Sequence, residues 1–198
     1  EWNYTTMILI WILAFVVAIT IHEASHAWMA DRLGDPTARL MGRLSLNPLV
    51  HYDPVGTTLL LALSIMRALG APVIPFGWAK PVEFDSYNLK NPRRDSALIS
   101  FAGPASNLLV ALFVSILARL NPALSIFVVP FIILNVSLAI FNLVPVHPLD
   151  GGKILVGLLP KKYAYGVENF LSKFGTILLF ILILPSFGGS SLISQFIS

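Results

Sequence analysis

Hydrophobic and polar positions along this chain form long apolar runs separated by short polar interruptions, the pattern of a protein that enters a membrane several times. Met7–Ile21 carries no ionisable side chain and, continued to about Ala30, predicts a first helix long enough to cross with some tilt. It stops where Asp31-Arg32-Leu33-Gly34-Asp35-Pro36 brings charge, glycine and proline together. Thr37–Leu46 alternates loosely, with Ala38, Leu40, Gly42, Leu44 and Leu46 on one side, and predicts a short β-hairpin. Pro54–Gly77 is apolar but broken by Arg67, Gly70, Pro72 and Pro75, so it fits either a short span or a re-entrant segment. Ala97–Ala118 and Ser125–Leu143 read as spans joined by an Asn121-Pro122 turn. Lys153–Lys173 reads as an amphipathic basic loop, and Phe174–Leu184 as a shorter closing span. The fold class is therefore an all-α polytopic membrane protein with about four firm transmembrane helices. One re-entrant or short hydrophobic segment and a small β-hairpin after the first helix complete it. A single membrane-embedded domain over residues 1–198, with its core at about 7–155 and an additional span at 174–184, accounts for the whole chain.

Composition sharpens this picture. The chain is 56% hydrophobic and only 12% charged, against about 25% charged in soluble domains. That leaves no room for a separate soluble domain. A net charge of +3 invites a nucleic-acid partner, but basic cytoplasmic loops explain the same excess, and none is expected. The absence of cysteine excludes disulfides and thiolate metal sites, so any metal must rest on His, Asp and Glu. The first span lacks a basic leader and a small-residue cleavage pattern, which marks it as retained rather than as a signal peptide. With the N-terminus outside and Pro54–Gly77 making no net crossing, every Lys and Arg except Arg119 falls inside. A full crossing there destroys the bias, which favours the re-entrant form.

The chemistry concentrates in His22-Glu23-Ala24-Ser25-His26, at the end of the first apolar run. Histidines at i and i+4 stand one above the other on a helix face and can close on a single ion, most often zinc. Glu23, one residue along, is placed to take a proton from a zinc-bound water. A five-residue motif can arise by chance, but ionisable groups inside an apolar span are costly and functional by default. A catalytic zinc needs three protein ligands. The only other polar cluster ending an apolar span is Asn142–Gly152, where Pro145, Pro148, Gly151 and Gly152 break the helix. Asp150 is the third ligand on this reading, with His147 a competitor; a turn aspartate before glycine is the bland account. With the first and fourth segments both running inward, the two clusters lie toward the same face. Asn142 either donates to a developing oxyanion or makes an interhelical hydrogen bond. His51 fits an interfacial loop position as well as a catalytic one.

His22-Glu23-x-x-His26 in a span, then Asn142-x-x-Pro145 and Leu149-Asp150-Gly151, resembles the site-2 protease family of intramembrane zinc metalloproteases. Gly103-Pro104-Ala105-Ser106-Asn107 and Asn47–Gly56 fit the same family, and the resemblance covers about Ile10–Leu155. It implies one Zn2+ per chain on His22, His26 and Asp150, with Glu23 as general base. It also implies hydrolysis of peptide bonds in or near the transmembrane segments of membrane-protein substrates, at the cytoplasmic side of a prokaryotic cell membrane. The lipid bilayer and a substrate helix are then the partners. Ser25 stands where many members have glycine, and His147 where many have an apolar residue or proline. PDZ and CBS domains are not accommodated, as in a minimal, core-only member. The segment near Ala38–Leu46 or the loop Gly77–Val82 would offer an edge for strand addition to an unwound substrate. A metal transporter would show several ligand sets along a path, and a dead helix-binding scaffold would show a damaged motif. Neither matches these residues.

Overall fold

The computed structural model describes residues 4–68, 70 and 78–183. Seven α-helices carry the described residues: α1 (Tyr4–Leu33), α2 (Thr37–Leu40), α3 (Gly56–Ala68), α4 (Pro92–Leu120), α5 (Ser125–Leu143), α6 (Asp150–Leu158) and α7 (Lys161–Ile183). Single 3-10 turns at Pro48–His51, Ser86–Asn88 and Pro122–Leu124 punctuate the connections. Three helices are long and apolar enough to cross a membrane: Thr6–Leu33, Pro92–Leu120 and Lys161–Leu182. The apolar helix Phe127–Leu143 is shorter. The protein is an integral membrane protein on these helices.

The packing centre is α4, which lies against α1, α5 and α6. Its contact with α1 is organised by two rows of residues spaced by four. On α1 the row Ala14, Ala18, His22, His26, Ala30 is buried throughout, and on α4 the row Asp95, Ile99, Gly103, Asn107, Ala111 is buried throughout. Rows at i±4 are the natural ridges of a helix surface. The helices run antiparallel here, since Ala18 meets Asn107, His26 meets Ile99 and Ala30 packs on Ile99. Small residues dominate the α1 row, and Gly103 and Ala111 contribute to the α4 row, as expected where close van der Waals approach, rather than expulsion of water, drives helix association. Hydroxyls at membrane depth bond back to their own helix, Thr20 to the Val16 carbonyl and Ser25 to the Ile21 carbonyl, both at 2.7 Å.

The structure corrects several expectations. There is no β-hairpin at Thr37–Leu46, and the described residues contain no strand. Asp35 Oδ1 accepts from both the backbone N–H (3.1 Å) and the hydroxyl (2.6 Å) of Thr37, which starts a helical turn instead. Leu40 N–H then donates to Pro36 O at 2.9 Å and Met41 N–H to Thr37 O at 3.0 Å. Of the alternating residues only Ala38 is buried, and Leu40 and Leu46 are 79% and 72% exposed. The basic stretch Lys153–Lys173 is helical rather than a loop: it completes α6 and begins α7, and the closing span starts at Lys161 instead of Phe174. About four spans were expected; three meet the length and composition of a crossing, with α5 the shorter fourth. Within 54–77 the described part is α3, 13 residues long, or about 20 Å at 1.5 Å per residue, less than the roughly 30 Å hydrocarbon thickness. Residues 69 and 71–77 lie outside the described residues, so the re-entrant reading of this segment is not decided by it.

Asp35 ties the membrane-proximal loops together. Besides Thr37, its carboxylate accepts from Asn88 Nδ2 at 2.8 Å and from the Asp85 N–H at 2.7 Å, joining the end of α1 to the entry of α4. Burial alone would raise its pKa, but the hydrogen bonds from Thr37, Asn88 and Asp85 hold it below the ordinary carboxylate value. A depressed folded-state pKa contributes stability that is present above the unfolded value, about 3.9, and lost as pH falls through the folded one. Asp35→Asn places an amide donor among these donors. It should lower stability at pH 7 by roughly 1–3 kcal/mol, measured by thermal unfolding in detergent. The gap between variant and wild type should narrow as the pH is taken below the ordinary carboxylate range.

Candidate metal centre

His22 and His26 lie inside the apolar span of α1, both buried, with ring centroids 4.6 Å apart and planes at 87°. Their Nδ1 atoms are fixed from α4. Asn107 spends both amide hydrogens, one on the Ala18 carbonyl (3.0 Å) and one on Asn135 Oδ1 (2.7 Å). Its Oδ1 can then only accept, so His22 Nδ1–H donates to it at 2.6 Å. Asn135 Nδ2 in turn donates to the Phe131 carbonyl of α5 at 2.8 Å. His26 Nδ1–H donates to the Ile99 carbonyl at 2.7 Å. Both histidines are thereby set in the tautomer that leaves Nε2 bare, each pinned by the kind of outer partner that metal-ligating imidazoles use.

Asp150 reaches the same point from α6. Proline-containing backbone Val144–Leu149 turns the chain after α5, with Val146 N–H on Val144 O at 2.8 Å and Leu149 N–H on Val146 O at 3.0 Å, so its polar groups are partly satisfied within the segment. The His147–Pro148 peptide is cis. Gly151 permits α6 to begin against this turn, because a Cβ there would lie 2.3 Å from the Val144 carbonyl oxygen. Asp150 Oδ2 is then 3.2 Å from His22 Nε2 and 3.3 Å from His26 Nε2. These three are the only His, Asp or Glu side chains among the described residues grouped so that a metal could be held, with ligand atoms within 4.8 Å of one another.

The set fits zinc. Metal–nitrogen and metal–oxygen bonds of about 2.0–2.1 Å in a tetrahedron put neighbouring ligand atoms roughly 3.3 Å apart, close to both observed separations. Two imidazoles and a carboxylate are also a donor set that catalytic zinc uses. Opposite them stands Gly103, where a Cβ would fall 2.5 Å from His26 Nε2 and 2.7 Å from His22 Cε1. Only glycine leaves that side of the cluster open.

Glu23 is half-buried, and its Oε2 accepts the Val82 N–H at 3.1 Å. Val82 belongs to the irregular segment Trp78–Asp85, which is fastened at several points. Lys80 N–H donates to the His51 carbonyl (2.9 Å), Phe84 packs on the Ala30–Leu89–Ile99 cluster, and Lys153 Nζ sits 4.5 Å from the Phe84 ring.

The structure thus gathers His22, His26 and Asp150. The other two histidines singled out in the sequence, His51 and His147, are not part of that group. Asn142 donates through Nδ2 to Leu138 O of its own helix at 3.0 Å. His51 is buried away from the cluster, with Nε2 on the Ser45 carbonyl at 2.9 Å, and His147 is exposed. Sequence reasoning quoted Asn107 and Gly103 without giving them a role and passed over Asn135 and Val82. An asparagine inside an apolar run is the signal that marks Asn107 and Asn135; a backbone N–H such as that of Val82 has none.

The chain matches the model of peptidase family M50 over residues 10–123 and 118–182. It is 36% identical to YwhC of Bacillus subtilis over 83% of this chain and 80% of that protein. It is 32% identical to Rip2 of Mycolicibacterium smegmatis over 75% of this chain and 57% of that protein. With the zinc metalloprotease MJ0392 of Methanocaldococcus jannaschii the figures are 23%, 78% and 37%. YwhC and Rip2 also carry zinc metalloprotease in their names, and no solved structure matches the chain. A buried His-His-Asp cluster of zinc dimensions inside apolar helices, and a family match over most of the length, give one conclusion: the chain belongs to peptidase family M50, the site-2 proteases, and is a zinc metalloprotease of the membrane.

Proposed function

We propose that this metalloprotease hydrolyses peptide bonds within or beside the transmembrane segments of other membrane proteins, the chemistry of regulated intramembrane proteolysis. The observation that carries this reading is the position of His22 and His26 inside an apolar span, packed against a second one. A peptide must come to them at membrane depth. His22, His26 and Asp150 would hold one zinc per chain through two Nε2 atoms and one carboxylate oxygen. When bound, the metal supplies a Lewis acid for the scissile carbonyl and lowers the pKa of water to about 7.

The chain's own groups do the rest. Asn107 and the Ile99 carbonyl keep both imidazoles oriented, so no reorganisation is needed during the reaction. Glu23 accepts the proton of the attacking water and delivers it to the leaving nitrogen. The Val82 N–H occupies Oε2 of that carboxylate and leaves Oε1 for the proton. Asn142 retains one amide hydrogen beyond its bond to Leu138, and that hydrogen is our candidate donor to the developing oxyanion.

A substrate helix must unwind before its carbonyl can be reached, and the segment Trp78–Asp85, which meets Glu23 through the Val82 N–H, is the backbone it would lie against. The Lys80 and Val82 N–H groups point inward, to His51 and Glu23. An active site toward the cytoplasm of a prokaryotic cell fits the charges. The antiparallel packing sets Arg32, at the end of α1, beside Arg94, at the start of α4, with Arg119 at the far end of α4.

Two tests follow. Glu23→Gln should retain about one zinc per chain and lose cleavage of a transmembrane peptide in detergent, whereas Asp150→Ala should lose the zinc. Cleavage by Glu23→Gln would remove it as the base, and no zinc in the wild type would favour a helix-binding scaffold. Asn107→Leu should weaken zinc by roughly 10–100-fold in a chelator competition. Asn142→Ala should keep zinc and lose on the order of 100-fold in kcat.

A further inference from the structure

A cavity of about 540 Å³ opens between the first turns of α4, the body of α6 and the first half of α7. Arg93, Lys153 and Lys161 line it against a single carboxylate, Glu168, three positive charges to one negative. Its apolar wall is Val156 and Leu171, neighbours in one buried cluster. The Nη1 of Arg93 is buried and has no hydrogen-bond partner among the described residues. A guanidinium has only donors, so such a nitrogen calls for an acceptor oxygen.

Position narrows the ligand. Pro92 begins one candidate span and Lys161 begins another, and both line the cavity. The cavity therefore lies where two spans leave the hydrocarbon, the level of lipid headgroups. Arg and Lys there match a phosphate oxyanion, Arg through its planar fork and Lys as a point charge, while Val156 and Leu171 match the carbon attached to it. The mechanical need is also visible. Only 11% of the best span window in α7 is buried, and that helix packs chiefly on α6.

We propose that this cavity binds a phosphate group, either the phosphodiester of an anionic phospholipid or free phosphate, and that the bound oxyanion ties the starts of α4 and α7 to α6. The site is independent of the proteolytic reading, since it needs only the fold.

The test uses the full chain in a neutral detergent. Thermal unfolding is followed with phosphatidylglycerol against phosphatidylcholine, and with sodium phosphate against sodium chloride at equal ionic strength. The wild type should gain several degrees with phosphatidylglycerol over phosphatidylcholine, or with phosphate over chloride. The first result assigns the site to lipid and the second to the free anion. Arg93→Gln and Lys161→Gln should each lose most of that gain, whereas Lys90→Gln, a basic residue of the same region that does not line the cavity, should keep it. Native mass spectrometry should find fewer retained phosphatidylglycerol molecules on Arg93→Gln and Lys161→Gln than on the wild type, a count that also serves for a variant of lowered stability. No gain with either ligand would overturn the proposal, as would an equal loss in Lys90→Gln, which would mean diffuse attraction of anions to a basic face.

Discussion

The site depends on how closely α1 and α4 can approach. Two rows spaced by four meet antiparallel, and at the point where α1 presents two imidazoles, α4 presents Gly103. A single methyl group there would occupy the side of the cluster that a metal needs. On either side of that glycine the same α4 row supplies Asn107 for one histidine and the Ile99 carbonyl for the other. Register, clearance and tautomer are thus set by one helix–helix contact. A shift of α4 by one turn would replace all three at once.

Polar groups placed in a membrane interior must find partners within the protein, and here they do so in a chain. Asn135 on α5 accepts from Asn107 on α4, which accepts from His22 on α1. Three helices are joined by groups that would be unfavourable alone, and the chain ends on the nitrogen opposite the metal-facing one. The network therefore serves packing and chemistry together: the bonds that satisfy the amides also hold Nε2 of His22 bare.

The Glu23 carboxylate is met from outside the bundle. It stands on α1, but its hydrogen-bond partner lies on the segment that leads into α4. That segment is fastened by His51 at one point and by Asp35 at another. His51 and Asp35 thus act on the site at a distance, as anchors of the segment that meets Glu23. The arrangement places a backbone segment fastened at both ends beside the carboxylate that neighbours the His-His-Asp group.

Much of the centre was legible in the residues themselves. His22, Glu23 and His26 were visible because helical periodicity is local, and charged groups after a long apolar run are too costly to be idle. Asp150 was visible because prolines and glycines mark where a span ends in polar backbone. What failed was also local in origin. The alternation at Thr37–Leu46 looked like a strand, but alternation specifies one only when a face is buried, and Asp35 captured Thr37 first. Lys153–Lys173 was read as an amphipathic basic loop, whereas it completes one helix and begins the next. The sequence by itself determined the class of protein, a zinc metalloprotease chemistry and the helix that carries two of the three grouped side chains. Only the tertiary structure decided that Asn107, Asn135, Gly103 and Val82 belong to the site. Their contributions are an acceptor, a relay, an empty space and a backbone hydrogen, and each acquires meaning only from what packs against it.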